Sequence, residues 1–298
     1  MQETSSISTK TKLSIVGTAG LAFCGVLVET AMNVTFPTLM AQFHESLNNV
    51  QWVTTAYLLV VAATMTVTAF VQRRFKFKTI LSAAGILFIL GILFSGSASS
   101  LTFLLIGRII QGISTGLTMP LMFAIIMQQI PLSKQGQYVG TAGMVVAFAP
   151  SLGPTYGGFI TQMYNWPLIF WITLPIGVVS CVLAISTIQQ GQSPVKSSFP
   201  FAQFILIFLG LTGLTLAINH AGSGSLTTPL VYGNFIFGFL CFAIFVILSL
   251  RSSQPLINIH IFKNSLFTRA VLIYFLIQFV QIGLTFVLPT FAQLSLKK

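Results

Sequence analysis

Long apolar runs separated by short polar breaks are the dominant pattern along this chain. A run of about 20 apolar residues is long enough for a helix to cross the ~30 Å hydrocarbon core of a bilayer. The pattern therefore predicts an all-α multi-pass membrane protein with nine transmembrane segments. They lie near residues 13–36, 51–72, 79–98, 101–125, 138–162, 167–188, 201–219, 231–250 and 270–293.

The breaks between these segments are too short to hold a soluble domain. The longest are 189–200, 220–230 and 251–269. The first of them combines glycine, proline, serine and a lysine in one polar run, which is typical of a linker. We therefore expect a boundary between helix bundles there.

Basic residues predict the orientation of the segments. Eleven of the fourteen lysines and arginines fall at alternate junctions, counted from the N-terminus. Such a bias places those junctions, and the N-terminus, in the cytoplasm. Residues 73–78 and 251–269 are then cytoplasmic, and 41–50 and 220–230 external. Lys297 and Lys298 are the exception, because nine crossings put the C-terminus outside. This end suggests a chain that has been cut short, although two lysines in a short tail can also be tolerated on the outer side.

Composition supports a membrane protein and argues against several other classes. Hydrophobic residues make up 55% of the chain, charged residues 6%, and the mean hydropathy is +0.92, far from a soluble domain of this size. The net charge of +11 is explained by topology and contact with lipid headgroups, so nucleic acid is not expected as a partner. The cysteines and histidines lack metal-ligand spacing, and no catalytic motif is present. We expect no metal, no cofactor and no enzymatic activity.

Two charged residues stand inside apolar segments, where they are costly and commonly functional. Glu29 lies roughly 24 Å from the inner end of the first segment, and Arg108 roughly 10 Å from the outer end of the fourth. In a ~30 Å core these depths agree within a helical turn. We predict that Glu29 binds a proton or a cation beside Arg108. A purely structural ion pair is the alternative.

Small residues and prolines mark the fourth and fifth segments. Gly112, Gly116 and Pro120 share one face of the fourth, which would allow close helix packing. In the fifth, a second stripe at helical spacing predicts either a tight crossing or a hinge, with Pro150 and Pro154 bending the helix. The stripe consists of Gly143, Ala147, Ser151, Pro154 and Gly158.

Two further features lie at predicted segment ends. The sequence "RRFKFK" (73–78) is a topological anchor or a gating contact with neighbouring helix ends. Trp52 and Trp166 are expected at the outer membrane interface, where tryptophan is common.

Several of these motifs resemble the major facilitator superfamily. "GRIIQG" (107–112) is similar to its fourth-helix motif, and "APSLGPTYGG" (149–158) to its fifth-helix antiporter motif. "QWVTTAYLL" (51–59), "WPLIFWITLPIG" (166–177) and "PLINIHIF" (255–262) resemble the fourteen-helix drug:proton antiporter branch. Thr30, Asn33 and Pro37 match the first-helix motif, but its aspartate position holds Val28, with Glu29 next to it. The glycine and aspartate of the second-to-third-helix motif are replaced by Ala69 and Arg73.

The resemblance implies a fold and a set of functional positions. Residues 1–188 would form an N-terminal six-helix bundle, 189–250 two additional helices, and 251–298 a cytoplasmic loop and the first helix of an incomplete second bundle. Glu29 and Arg108 would couple proton and substrate. The cavity or motif residues would be Thr30, Asn33, Pro37, Trp52, Tyr57, Gln111 and Gly112. The hinge would contain Gly143, Pro150, Gly153, Pro154, Gly157 and Gly158, and the gate loop Arg73, Arg74 and Lys78.

The implied activity is proton-coupled efflux of amphipathic or cationic small molecules across the cell membrane, with protons and substrate as the bound partners. The alternatives are a non-transporting fragment and a subunit that pairs with a full-length relative. An importer with the same fold is disfavoured by the antiporter motif.

Overall fold

The computed structural model describes residues 7–190, 195, 198–223 and 228–295, apart from the side chains of residues 223 and 285–295. Lys196, Lys297 and Lys298, three of the basic residues used for the topology, lie outside this part. The described residues form ten α-helices, a short 3-10 helix Ile259–Lys263 and no strand. The α-helices are α1 Thr9–Val34, α2 Phe36–Phe43, α3 Leu47–Arg74, α4 Phe77–Gly96, α5 Leu101–Gln129, α6 Leu132–Met163, α7 Leu168–Thr187, α8 Phe201–Ser223, α9 Pro229–Arg251 and α10 Ser265–Ser295.

The chain is an all-α multi-pass membrane protein. Each of the nine predicted segments corresponds to one long helix, so this part of the prediction is confirmed. Within the described residues, eight helices are long and apolar enough to span a membrane: α1, α3, α4, α5, α7, α8, α9 and α10. Helix α6 is 32 residues long but is not in that set.

Helix α2 is the element that the apolar pattern missed. Pro37 stands in its first turn, where a proline is tolerated because that N–H has no helical partner. The same missing N–H cannot continue the hydrogen bonding of α1, so the first segment divides at Thr35. Helix α2 ends at Phe43, and the next residue, His44, is its left-handed cap with φ 54° and ψ 41°.

The predicted basic loop 73–78 is shorter than expected. Arg73 and Arg74 form the last turn of α3, and Lys78 lies in the first turn of α4. Only Phe75 and Lys76 connect the two helices. The expectation of a six-residue loop was wrong because helices extend into polar residues that a hydropathy pattern excludes. The arginines at the C-terminus of α3 are favourable there, since a helix dipole attracts cations at that end.

The chain divides into two compact units. Unit 1 contains Met1–Phe199 and Ile218–Leu226, and unit 2 contains Pro200–Ala217 and Thr227–Lys298. Unit 1 holds α1 to α7, six of them long. Helix α1 packs against α5, α6 and α7, and α5 packs against α3 and α4. The three-part division at 188 and 250 stays a prediction.

Unit 2 contains α9, the 3-10 helix, α10 and most of α8. In this unit Gln203 of α8 is buried. Its side-chain oxygen Oε1 accepts hydrogen bonds from the Leu256 N–H at 2.7 Å and from the Ser249 hydroxyl at 3.4 Å. This amide therefore attaches the segment after α9 to α8.

Candidate functional site

Arg108 lies in the interior of unit 1 with 0% of its surface exposed. Its Nε donates to the carbonyl oxygen of Val53 at 3.2 Å, and its Nη1 donates to Oε1 of Gln111 at 2.7 Å. Nη2 has no hydrogen-bond partner, and neither does Nε2 of Gln111. A buried donor without an acceptor is costly. Arg108 is therefore held firmly on two nitrogens and is left with an unused donor on the third.

Tyr57 completes the surroundings of Arg108. Its ring lies against the guanidinium, with Arg108 Cζ 4.1 Å from the ring centroid, a cation–π contact. Its hydroxyl hydrogen-bonds with the carbonyl oxygen of Gly25 and with Oγ1 of Thr115, both at 3.0 Å. Tyr57 on α3 thus joins α1 and α5. It is 2% exposed, so in this structure it is an interior residue and does not line an open cavity.

Glycines let the helices come close enough for this cluster to form. A Cβ added at Gly112 would lie 2.9 Å from the Tyr57 carbonyl oxygen, and one at Gly116 2.9 Å from that of Val61. A Cβ at Gly25 would collide with Oγ1 of Thr115. The close packing expected for the glycines of this segment is observed, against α3.

Glu29 lies on α1 and is half-buried. Asn33, one turn later, is within hydrogen-bonding reach of its carboxylate. Oδ1 of Asn33 in turn accepts a hydrogen bond from the Thr54 hydroxyl of α3 at 2.8 Å. Sequence reasoning selected Glu29 and Asn33 but missed Thr54. The available signal was a hydroxyl residue in an apolar helix, since such groups commonly bond to a neighbouring helix.

Glu29 and Arg108 are near each other without forming a direct hydrogen bond. Helices α1 and α5 run antiparallel, because Thr11 contacts Gln129 and Gly25 contacts Thr115. Their charges interact, as expected for residues at neighbouring depths. The bonds of the guanidinium, however, go to Val53 and Gln111. The structure therefore brings the two charges into one region and keeps the guanidinium off the carboxylate.

Helix α6 contacts α1 through a different stripe from the predicted one. The buried residues are Ala142, Val146, Ala149, Gly153, Gly157 and Ile160. A Cβ at Gly157 would collide with the Ala31 carbonyl, and one at Gly153 with the Thr30 hydroxyl. Of the predicted motif residues, Gly153 and Gly157 make this contact, whereas the predicted stripe does not, because Ala147 and Ser151 are exposed and Gly143 has nothing within 4 Å. It lies on the adjacent face, about one residue's rotation away.

The remaining members of the fifth-helix motif lie around this contact. A Cβ at Gly158 would lie 3.8 Å from Cγ1 of Val34, an ordinary contact. Pro150 and Pro154 are half-buried, and α6 continues through both as one helix. The Thr30 hydroxyl bonds to the carbonyl oxygen of Val26 at 3.0 Å and to that of Ala149 at 3.5 Å. Thr30 therefore packs and hydrogen-bonds where α1 meets α6.

The other motif residues lie apart from this region. Pro37 is exposed in α2, and Trp52 is half-buried on α3. Trp166 is buried, and its Nε1 donates to Oε1 of Gln42 at 2.6 Å. The ring packs edge-on against Phe43 and Phe170, so it contacts protein, and its depth at the outer membrane interface stays a prediction. In the described part of the chain, no three His, Cys, Asp or Glu residues form a group that could hold a metal.

The sequence is similar to a known family of transport proteins and to several of its members. Residues 18–297 match the profile of the family described as "Major Facilitator Superfamily". The chain is 34% identical over 273 residues to the lincomycin resistance protein LmrB of Bacillus subtilis (strain 168), covering 91% of this chain and 57% of that protein. It is 28% identical to the riboflavin transporter RibZ of Clostridioides difficile (strain 630), over 91% of this chain and 58% of that protein. The chain thus spans little more than half the length of these relatives.

Solved structures support the same fold. A peptide transporter POT in complex with sulfate superposes with a TM-score of 0.60 at 13% identity, over 81% of this chain and 53% of that one. A bacterial homolog of the human lysosomal transporter Spinster, inward-facing and unoccupied, gives a TM-score of 0.54 at 17% identity, over 78% and 60%. At these identities the likeness concerns the fold alone.

Proposed function

This chain belongs to the Major Facilitator Superfamily, and on that basis we propose that it belongs to a proton-coupled exporter of amphipathic or cationic small molecules. We assign it to the fourteen-helix drug:proton antiporter branch. The names of two relatives, lincomycin resistance proteins from Bacillus subtilis and Listeria monocytogenes at 34% and 30% identity, support export of a drug-like cargo.

The observation that carries the proposal is the arrangement of Glu29 and Arg108. A half-buried carboxylate interacts with a fully buried cation that keeps one donor unused. Glu29 can therefore take up a proton, or attract a cationic cargo, without first breaking a direct ion pair. A proton and a cation compete for the same negative charge. Exchange follows if the two facing states of the carrier differ in their affinity for each.

The test compares Glu29→Gln with the wild type in everted membrane vesicles that hold the gene product carrying this chain. Glutamine keeps the size of the side chain and cannot be ionised. We expect pH-driven accumulation of a cationic dye to be lost, while exchange of a neutral substrate continues. Glu45→Gln is the matched control, because Glu45 is bonded to Asn49 in an exposed site. Normal pH-driven accumulation in Glu29→Gln would overturn the proposal.

The second part of the proposal is the orientation in the cell membrane, with the N-terminus in the cytoplasm. The turn between α3 and α4 is then cytoplasmic. Its Phe75 is 47% exposed, so a cysteine placed there is accessible to a reagent. In a background without the three native cysteines, an impermeant thiol reagent added to intact cells should leave position 75 unlabelled and label it after lysis. Labelling from outside would reverse the topology.

A different candidate function is that of a non-transporting fragment, or of a subunit that pairs with a full-length relative. The observation in its favour is the coverage of only 57% of the lincomycin resistance protein. Export by the 298-residue chain alone would contradict both versions. Co-purification of a longer family member would support the subunit. A coding sequence that continues beyond codon 298 with further apolar segments would support truncation.

A further inference from the structure

A chain of polar contacts connects Glu29 to a neighbouring helix. Asn33 follows Glu29 by four residues on α1, a spacing that puts the two side chains side by side, and it lies within reach of the carboxylate. Oδ1 of Asn33 accepts from the hydroxyl of Thr54 on α3 at 2.8 Å. Thr54 is 3% exposed, so water does not readily replace this contact. Glu29 is thereby connected through one amide to α3.

The chemistry of the three groups fixes the direction of each hydrogen bond. An ionised carboxylate only accepts, so the Asn33 group that serves it must be the NH2. The Asn33 oxygen must then face the other way, where a donor is needed. The Thr54 hydroxyl supplies that donor. Without it, the buried side of the amide would lose its partner, and nothing else described at this position would set the amide's orientation.

We propose that Thr54 is a positioning residue for Glu29. Its hydroxyl orients the Asn33 amide so that the NH2 faces the carboxylate, and it ties the ionised state of Glu29 to the contact between α1 and α3. This role of Thr54 deepens the proposed function, and it rests on that function in one respect: Glu29 is taken to be the carboxylate that couples proton and substrate. Arg108 and Tyr57 are the other groups that interact electrostatically with Glu29, and neither takes part in this chain of contacts.

The experiment measures how readily Glu29 reacts with a hydrophobic carbodiimide, a reagent for carboxyl groups in membranes. Mass spectrometry would quantify the modified Glu29 peptide in membranes containing the 298-residue chain. Glu45 is the internal standard, since its own amide partner, Asn49 at 2.7 Å, is untouched by the variants. The readout is the Glu29-to-Glu45 ratio, which does not require transport.

Thr54→Val removes the hydroxyl at nearly constant shape, and Thr54→Ser retains it. We expect Thr54→Val to raise the ratio about fivefold, the effect of one hydrogen bond, because the carboxyl oxygen held by Asn33 becomes available to the reagent. Thr54→Ser should restore the wild-type ratio. Thr68→Val is the matched control, because Thr68 is also buried on α3 but bonds to the Gly116 carbonyl at 3.0 Å. It should leave the ratio unchanged.

A double-mutant cycle separates positioning from general loosening. In an Asn33→Ala background, Thr54→Val should have no further effect, because the two residues act through one contact. An unchanged ratio in Thr54→Val, or an equal change in Thr68→Val, would overturn the proposal. Thr54→Ala repeats the test if the valine variant is not produced in membranes. If Glu29→Gln keeps pH-driven export, the proposed function fails while the labelling result still decides the role of Thr54.

Discussion

Helices α5 and α6 are both rich in glycine, but they use it differently. In α5, a Cβ added at any of the three glycines, Gly107, Gly112 and Gly116, would approach atoms of α3 or α4 to 3.0 Å or less. In α6, the corresponding close contacts occur at Gly153 and Gly157, and Gly136, Gly140 and Gly143 have nothing within 4 Å. Glycine in one helix is therefore a packing residue throughout, whereas in the other it marks both a packed and an open face.

The difference follows from the number of helices around each. Helix α5 packs against α1, α3 and α4, with few of its faces left open. Helix α6 packs mainly against α1, and residues such as Met144 and Phe148 are exposed within unit 1. A spacing of small residues thus indicates where close packing is sterically allowed. Which face is used depends on where a partner helix lies.

The comparison can be tested on the thermal unfolding of the purified 298-residue chain. Cys24 and Cys181 are buried in unit 1, and Cys241 is buried in unit 2. In a Cys241→Ala background, a thiol-reactive dye therefore reports the opening of unit 1 only. All five variants below are measured in this background.

The largest effect is expected for Gly157→Leu. A Cβ there would lie 2.9 Å from Cα of Ala31, so backbone must move before any side chain fits. Overpacking of a tight contact costs about 1–3 kcal/mol and can cost more. We expect a clear drop in the unfolding temperature, and reduced transport in the gene product that carries this chain. An unfolding temperature equal to that of the wild type would show that the stability of unit 1 does not depend on the contact between α6 and α1.

Gly116→Ala tests the packed helix by a smaller change. Its Cβ would lie 2.9 Å from the Val61 carbonyl oxygen and 2.6 Å from Cβ of Thr64. Alanine favours the helix itself by roughly 1 kcal/mol over glycine, so a net destabilisation isolates the steric cost. We expect the unfolding temperature to fall, by less than in Gly157→Leu. A higher temperature would mean that α3 yields at this point.

Tyr57→Phe separates the two contacts that Tyr57 makes around α5. The ring over Arg108 is retained, and the hydrogen bonds to Gly25 and Thr115 are lost. One such bond contributes about 1 kcal/mol. We expect a modest drop in the unfolding temperature. Tyr57→Leu, which also removes the ring, should lower it further, and equal values for the two variants would assign no role to the ring.

Gly143→Leu should have the smallest effect. Nothing lies within 4 Å of a Cβ at this position, and leucine is a good helix former. We expect an unchanged or slightly higher unfolding temperature, which makes it the matched control for Gly157→Leu on the same helix. A drop comparable to that of Gly157→Leu would mean that the open face of α6 is also a packing face within unit 1.

The sequence predicted the long helices well because length and hydropathy are local properties. It also predicted that Glu29 and Arg108 lie at similar depths, since helical rise is constant. It missed α2, whose eight residues are too few for an apolar run, and it placed the packing stripe of α6 one residue off. It missed Thr54 and Thr115, because a hydroxyl in an apolar helix indicates that a partner exists but does not identify that partner before two helices meet.

The burial of α1 also has a consequence for biosynthesis. This helix is synthesised before α5, α6 and α7, yet it packs against all three. The last of them, α7, ends at Thr187, and α1 ends at Val34. At ~5–20 residues per second, translation from the end of α1 to the end of α7 takes roughly 10–30 s. During this time the face of α1 with Gly17, Gly25 and Glu29 lacks the helices that cover it in the finished protein. Until α5 follows, the insertion machinery or the lipid must accommodate Glu29 without Arg108.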